Sequence, residues 1–414
     1  MDTGDTAFVI VSAALVFIMT PGLGFFYGGL GRRKNVINNL MATVFILGLG
    51  IVLWVLFGYS LSFSGNNFGI IGSLADAGLG SQPFDAPSPY APSLPFLVFV
   101  IFQMMFALIT PAIITGAAAG RMKFKALFIF IGAWSFLVYY PLAHMVWGEG
   151  GLLGAAGLGS IDFAGGNVVH ISSGVSGLVL CMLLGRRQGY EHTSYRIHNI
   201  PFVVLGMALL WFGWFGFNAG SALGANALAG HAFVTTSLAT ASGLLSWMLI
   251  DVVRKRRPNL ISSCTGVVVG LVAITPGAGF VPVWASLIIG LTAGPVCYYG
   301  IIMVKQKLKI DDALDAFGCH GIGGIWGGIM TGVFANPAIN SAATNGLWYG
   351  EARQFFAQIG AIVISILVAV VGSLVCVGIT RAFTQLRVSR REELIGLDIS
   401  QHGENAYPSF TGLD

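Results

Sequence analysis

The chain has 414 residues, of which 9% are charged and 55% hydrophobic, and its mean hydropathy is +0.81. A soluble domain of this length does not carry such a balance, so the composition excludes a globular cytosolic fold and points to an all-α polytopic membrane protein. The net charge of +4 reads as an orientation signal and gives no ground for a nucleic-acid partner.

Apolar stretches of roughly 18 to 25 residues, the length that crosses a hydrocarbon core, fall near 7–30, 39–63, 94–119, 124–146, 166–185, 199–222, 230–252, 260–276, 281–304, 316–335 and 352–384. The first has no basic leader and is too long for a signal-peptide core, so it is expected to remain as a true span. Eleven spans place the two termini on opposite sides. Lys and Arg fall in alternate connections only: Arg32, Arg33 and Lys34; Arg121, Lys123 and Lys125; Arg186, Arg187 and Arg196; Arg254 to Arg257; and Lys305, Lys307 and Lys309. Arg381, Arg387, Arg390 and Arg391 add the tail, and Arg353 is the sole basic residue on the other side. The excess of positive charge on cytoplasmic loops then sets the amino terminus outside and the carboxyl terminus in the cytoplasm, for a multi-pass protein of the cell membrane.

The longest connection, about 64–93, is rich in Gly, Ser and Pro and reads as variable outer surface. All five cysteines (Cys181, Cys264, Cys297, Cys319 and Cys376) fall within predicted spans, which argues for packed thiols and no disulfide framework. Glycine, at 58 residues, is about twice its usual share, and in membrane helices it lets backbones approach closely.

His170 and His320 each lie inside a span, and each follows an aspartate by eight residues: DFAGGNVVH begins at Asp162 and DALDAFGCH at Asp312. Ionisable groups at that depth are costly and mark a pathway. Small residues repeat behind both, as Ser173, Gly174 and Gly177 and as Gly323, Gly324 and Gly327. If these are spans five and ten, the repeat unit is five spans, and an odd unit inverts on repetition. GFFYGG in span one and WFGFNAG in span six echo each other at the first helix of each half. The expected organisation is repeat one over about 7–185, repeat two over about 199–335, an extra helix at 352–384, and a cytoplasmic regulatory tail at 385–414.

Two facing imidazoles in an apolar lumen can share or pass a proton without bearing a lasting charge. Cys319 is adjacent to His320, but neighbours on a helix point about 100 degrees apart, so no metal site is expected. Asp162 fits a helix start, where a carboxylate is favoured by the dipole and can fix backbone carbonyls that attract a cation. Aromatic faces beside a hydroxyl, as in FNAGS with Phe217 and Ser221, form a plausible cage for a small cation, at on the order of 0.5 to 2 kcal/mol per desolvated contact. No nucleophile-base pair or cofactor motif stands beside the histidines, so neither an enzyme nor a cofactor is expected.

The motifs resemble the ammonium transporter family, the Amt/Mep/Rh proteins, and closest its microbial Amt branch. They are FFYGGL (25–30) with RRKN after it, WVLFGYSLSF (54–63), PLAHMVWG (141–148), DFAGGNVVHISSG (162–174), WFGWFGFNAGSA (211–222), AITPGAGFV (273–281), FGCHGIGGIWG (317–327) and GLDISQHGENAY (396–407). The resemblance implies a homotrimer with one pore per protomer. Phe106, Trp147 and Ser221 resemble an outer recruitment site for the ammonium ion, Phe106 and Phe217 a phenyl gate, and His170 and His320 the twin pore histidines. Asp162 matches the acidic residue near the entrance, and Gln103 and Thr275 match positions near the pore. The tail resembles the segment that couples protomers and meets PII signalling proteins. One departure is Gly120, where many members carry an acidic residue before the arginine, a difference that bears on contacts between this loop and the tail.

The mechanism implied is capture of ammonium, deprotonation near the gate, passage of ammonia and reprotonation inside, with a net positive charge moved if the histidines relay the proton. The alternatives are a neutral-gas channel of the Rh type, passing ammonia or carbon dioxide, and an ammonium sensor. Trp147 and the tail argue against the first. Sensors of this fold usually append a signalling domain, and only about thirty residues follow span eleven.

Overall fold

A computed structural model describes residues 1–83, 85–190 and 196–408; the last six positions of the predicted tail, 409–414, lie outside the described residues. Helices form over every apolar stretch of the sequence. In chain order they are α1 (Thr3–Leu30), α2 (Arg33–Phe63), α3 (Phe96–Ala118), α4 (Phe124–Trp147), α5 (Gly166–Leu184), α6 (Ile200–Gly220), α7 (Ala227–Lys255), α8 (Leu260–Ile274), α9 (Val283–Lys307), α10 (317–334) and α11 (Arg353–Phe383). Among the described residues, nine of these are long and apolar enough to cross a membrane, which makes this a multi-pass membrane protein. The other two are α8, of 15 residues, and α10. Thr275 and Pro276 close α8 early, and α10 is diluted by seven glycines and His320.

Helix starts follow the sequence. Asn199, Asn226 and Asn259 begin α6, α7 and α8 in the same way, each side-chain oxygen accepting the N–H three residues on, from Phe202 (3.0 Å), Ala229 (3.1 Å) and Ser262 (3.1 Å). Such a cap contributes about 1 kcal/mol over alanine.

The deepest helix seam joins α1 to α6, the two helices whose aromatic and glycine runs echo each other. A Cβ at Gly206 would lie 2.3 Å from the backbone nitrogen of Phe26, so only glycine allows the two backbones this approach. A second contact of the same kind positions the histidines: a Cβ at Gly174 of α5 would sit 2.2 Å from the Gly321 nitrogen. The small-residue stripe behind His170 therefore brings α5 against the first turn of α10. Outward faces, such as Leu245, Leu249 and Val253 on α7 and Leu367, Val371 and Val375 on α11, are exposed and apolar, as lipid contact requires.

Two smaller units frame the bundle. The 64–93 connection ends in an antiparallel hairpin, β1 (Pro87–Ser88) with β2 (Ala91–Pro95). The tail folds back as a short helix, α12 (Arg390–Ile395), begun by a capping box between Ser389 and Glu392. It lies along the loop after α3: Lys123 N–H donates to Leu386 O (2.9 Å) and Val388 N–H to Arg121 O (3.0 Å). The Gly120 departure thus leaves the loop and tail joined, because backbone groups make the contact.

Candidate functional site

At the end of the bundle opposite the tail, a cavity of about 490 Å³ opens between α3, α4, α6 and the 64–93 connection. It gathers residues from distant parts of the chain: Gln103, Phe106, Trp147, Asp162 and Ser221 all line it. The Phe106 and Trp147 rings meet edge to face at 5.9 Å between centroids. Ser221 Oγ donates to Phe217 O at 2.8 Å, which spends its only proton within the helix and leaves its lone pairs to accept from an occupant. Trp147 is held by its own donor, Nε1 to the backbone carbonyl of Asp162 at 2.8 Å.

Asp162 does not offer its carboxylate to the cavity as a free anion. Oδ1 accepts the N–H of Gly165 (2.9 Å) and Gly166 (2.6 Å), and Oδ2 that of Asn167 (2.7 Å). Burial pushes its pKa above the ordinary value, and the same backbone N–H groups oppose that shift. The residue thus seals the start of α5 with its side chain and fixes Trp147 with its main chain. Asp312 repeats the first half of this arrangement at α10, accepting the N–H of Ala316 (3.1 Å), Phe317 (2.9 Å) and Gly318 (3.2 Å). Each of these two helices opens on a π-helical turn, Gly166–Ile171 and Phe317–Gly321, and each turn carries the histidine. Such turns re-aim a side chain off the regular helical face.

The floor of the cavity is Phe106 stacked on Phe217, with centroids 4.3 Å apart and planes 29° apart. Both rings are buried. Beneath them lies a space of about 10 Å³, lined by aliphatic side chains of α1, α3 and α6 together with Phe217, Trp214, His170 and His320. That is room for one water-sized molecule at most. The imidazoles are 1% and 4% exposed, and their Nδ1 atoms are 3.2 Å apart. That short N···N contact requires one Nδ1 to be a donor and the other an acceptor. The two Nε2 atoms are then of opposite kind, and moving the shared proton exchanges them. Among the described residues His170 Nε2 has no hydrogen-bond partner, so it is available to a molecule in the lumen.

Two features were outside the sequence reading. Trp214, which the sequence reading left inside the WFGWFGFNAGSA motif without a role, stacks on His170 at 5.4 Å and 18°. Its Nε1 donates to Thr275 Oγ1 at 2.9 Å, so Thr275 acts on the lumen through Trp214. A second omission is Tyr90 of the hairpin turn, which stacks on Phe99 at 5.1 Å, donates to Phe63 O at 2.8 Å and lines the cavity. The connection read as variable surface therefore supplies part of the wall. Nothing local in a Pro-rich loop marks that tyrosine, since its stacking partner lies across a connection.

The family model described as the Ammonium Transporter Family matches residues 7–407. The chain belongs to the ammonium transporter family. It is 48% identical to the ammonium transporter of Bacillus subtilis strain 168 over 98% of this chain and 99% of that one. It is 43% identical to ammonium transporter Amt1 of Archaeoglobus fulgidus, over 98% and 100%. The solved structure of Saccharomyces cerevisiae Mep2 is similar at a TM-score of 0.88, with 36% identity over 99% of this chain and 93% of that chain. A structure titled Sensor Amt Protein gives a TM-score of 0.86 at 28% identity, over 96% and 98%. The family is one of transporters rather than enzymes.

Proposed function

We propose that the protein captures ammonium ion in the aromatic cavity, strips its proton at the stacked phenyls and conducts ammonia past His170 and His320 to the tail side. On this reading the helices make eleven crossings in two inverted five-helix repeats plus α11. The cavity faces outside, and the tail lies in the cytoplasm, where PII proteins are candidate partners. The protomer works in a homotrimer. Phe106, Trp147 and Ser221 hold the cation, Phe106 and Phe217 gate it, and Asp162 fixes the capturing geometry. Gln103 adds an amide to the wall, and Thr275 keeps Trp214 flat on His170.

The observation that carries the reading is the narrowing from a cavity of about 490 Å³ with polar edges to a lumen of about 10 Å³ whose nitrogen-bearing side chains are Trp214 and the two histidines. An ion at the membrane centre costs about 2.5 to 3.5 kcal/mol even on lenient scales. Cation-aromatic contacts of on the order of 0.5 to 2 kcal/mol at the mouth do not follow it inward. Ammonium escapes this cost by becoming neutral, whereas potassium, of similar size, has no neutral form. The stripped proton goes to His170 Nε2, the proton already on His170 Nδ1 crosses to His320 Nδ1, and His320 Nε2 releases its own toward the tail side, which makes the net cargo one positive charge.

The test is charge movement by reconstituted protein on a supported membrane on addition of ammonium, methylammonium or potassium. Current is expected with the first two and not with the third. Replacing both histidines with leucine should remove the current while the protein stays folded. Full current from that variant would overturn the relay, and neutral ammonia flux without current in the native protein would favour the gas-channel reading.

A further inference from the structure

A second cavity, also about 490 Å³, lies at the opposite end of the molecule, between the Arg32, Arg33, Lys34 run at the start of α2 and the tail segment around Asp398, Asn405 and Tyr407. We infer that this cavity binds a phosphate group and that its occupant holds the tail against the first loop. Its volume is that of an ordinary small-molecule site. Among the described residues Arg33 and Lys34 line it beside one carboxylate, that of Asp398, and one oxygen of that carboxylate is already committed. Asp398 Oδ1 accepts the N–H of Asn38 at 2.9 Å, where the regular α-helical part of α2 begins at Val36 and its dipole offsets the charge. The cavity therefore keeps a surplus of positive charge that an anion relieves.

The cations are also oriented. The Arg33 guanidinium stands over the Tyr407 ring at 5.1 Å, and Tyr407 Oη is fixed in turn by His198 Nε2 at 3.0 Å. A guanidinium held flat keeps its fork of donors at the edge, the geometry that matches phosphate oxygens. Lys34 Nζ donates to the Leu394 carbonyl, which keeps a point charge on the same wall. The amide of Asn405 adds a neutral donor. A tetrahedral group with several acceptor oxygens satisfies a fork, an ammonium and an amide together, which a planar carboxylate with two oxygens does not.

One wall is the first loop and the other is the tail, so an occupant bridges them. The same interface is otherwise held by single bonds such as Leu397 N–H to Asn35 Oδ1 (3.0 Å) and His402 Nε2 with Asn38 Oδ1 (3.1 Å). Basic clusters directly flanking a membrane helix serve anionic lipid headgroups as well as soluble phosphates. The shared chemistry is the phosphate, and the source is an outcome of the experiment.

Full-length protein in detergent is titrated with inorganic phosphate and with sn-glycerol 3-phosphate at constant ionic strength, and separately exchanged into nanodiscs of phosphatidylcholine with or without phosphatidylglycerol. Hydrogen exchange over 397–407 is followed in each. A phosphate-bearing probe is expected to slow exchange there several-fold while chloride does not. Arg33→Gln with Lys34→Gln should weaken the titration at least tenfold, and Arg256→Gln with Arg257→Gln, at a distant basic loop, should leave it unchanged. Asn405→Asp, which adds a negative charge to the cavity without touching the start of α2, guards against misfolding of the double variant and should also abolish the effect. Slowing by soluble probes alone assigns a free phosphate, and slowing in phosphatidylglycerol discs alone assigns a lipid. Equal slowing in native and Arg33/Lys34 variant protein, or none with any probe, overturns the proposal.

Discussion

Replacing Asp162 by asparagine or alanine separates its two duties. Alanine leaves three buried N–H groups, those of Gly165, Gly166 and Asn167, without an acceptor. At about 1 to 3 kcal/mol for each unpaired group, the loss is on the order of several kcal/mol, enough to threaten a marginally stable fold. Asparagine keeps an oxygen for Gly165 and Gly166 but turns an NH2 toward the Asn167 N–H, so one bond is lost along with the charge at the helix start. The expected cost is about 1 to 3 kcal/mol for the bond and about 0.3 to 2 kcal/mol for the dipole interaction. Because the Asp162 carbonyl also accepts from Trp147, a shifted helix start moves the indole at the mouth. Thermal unfolding of purified protein should therefore rank native above Asp162→Asn above Asp162→Ala, with ammonium affinity weakened in the same order. Asp312→Asn should lower stability comparably, since Asp312 accepts three N–H groups in the same way, and should leave affinity at the mouth unchanged. Native stability and affinity in Asp162→Asn would refute the capping argument; equal loss of affinity in both asparagine variants would refute the link to Trp147.

Other perturbations test neighbouring parts of the site. Thr275→Val removes the acceptor of the Trp214 N–H and leaves it buried without a partner, so stability should fall by about 1 to 3 kcal/mol, and the fluorescence of Trp214, measured against Trp214→Phe, should change. Phe217→Ala opens the floor beneath Phe106; potassium or methylammonium should then compete better against ammonium in flux measurements, and unchanged selectivity would count against the phenyls as a gate. Burial opposes ionisation of Asp311, but Arg187, bonded at 2.6 and 2.8 Å, and the nearby Arg121 outweigh it and hold the carboxyl below its ordinary value of about 3.8. Its contribution to stability is full above that value and is lost as pH falls through the lower folded one. Asp311→Asn should accordingly lower Tm at neutral pH and flatten the acid limb of the stability profile, and a parallel acid limb in the variant would remove Asp311 as its cause.

The local chemistry of the site was legible because it recurs. The aspartate, the histidine and the glycine stripe are each written twice, and the structure gives both copies the same carboxylate cap and the same opening turn. Tyr90 and the Trp214 stack were not legible in this way, since each is defined by a partner in another element: Phe99 of α3 for Tyr90, and His170 and Thr275 for Trp214. The same holds for the tail: the departure at Gly120 bears on a side chain, while the joint is made by main-chain groups that any sequence carries.

Hydropathy by itself fixed the helices and the multi-pass class, because an apolar run in lipid has few ways to satisfy its backbone other than a helix. Only the tertiary structure decided that the Asp162 carbonyl accepts from Trp147 and that the imidazoles meet through Nδ1. The meeting of the imidazoles depends on how closely α5 approaches α10, a distance set at Gly174 by a backbone more than a hundred residues away.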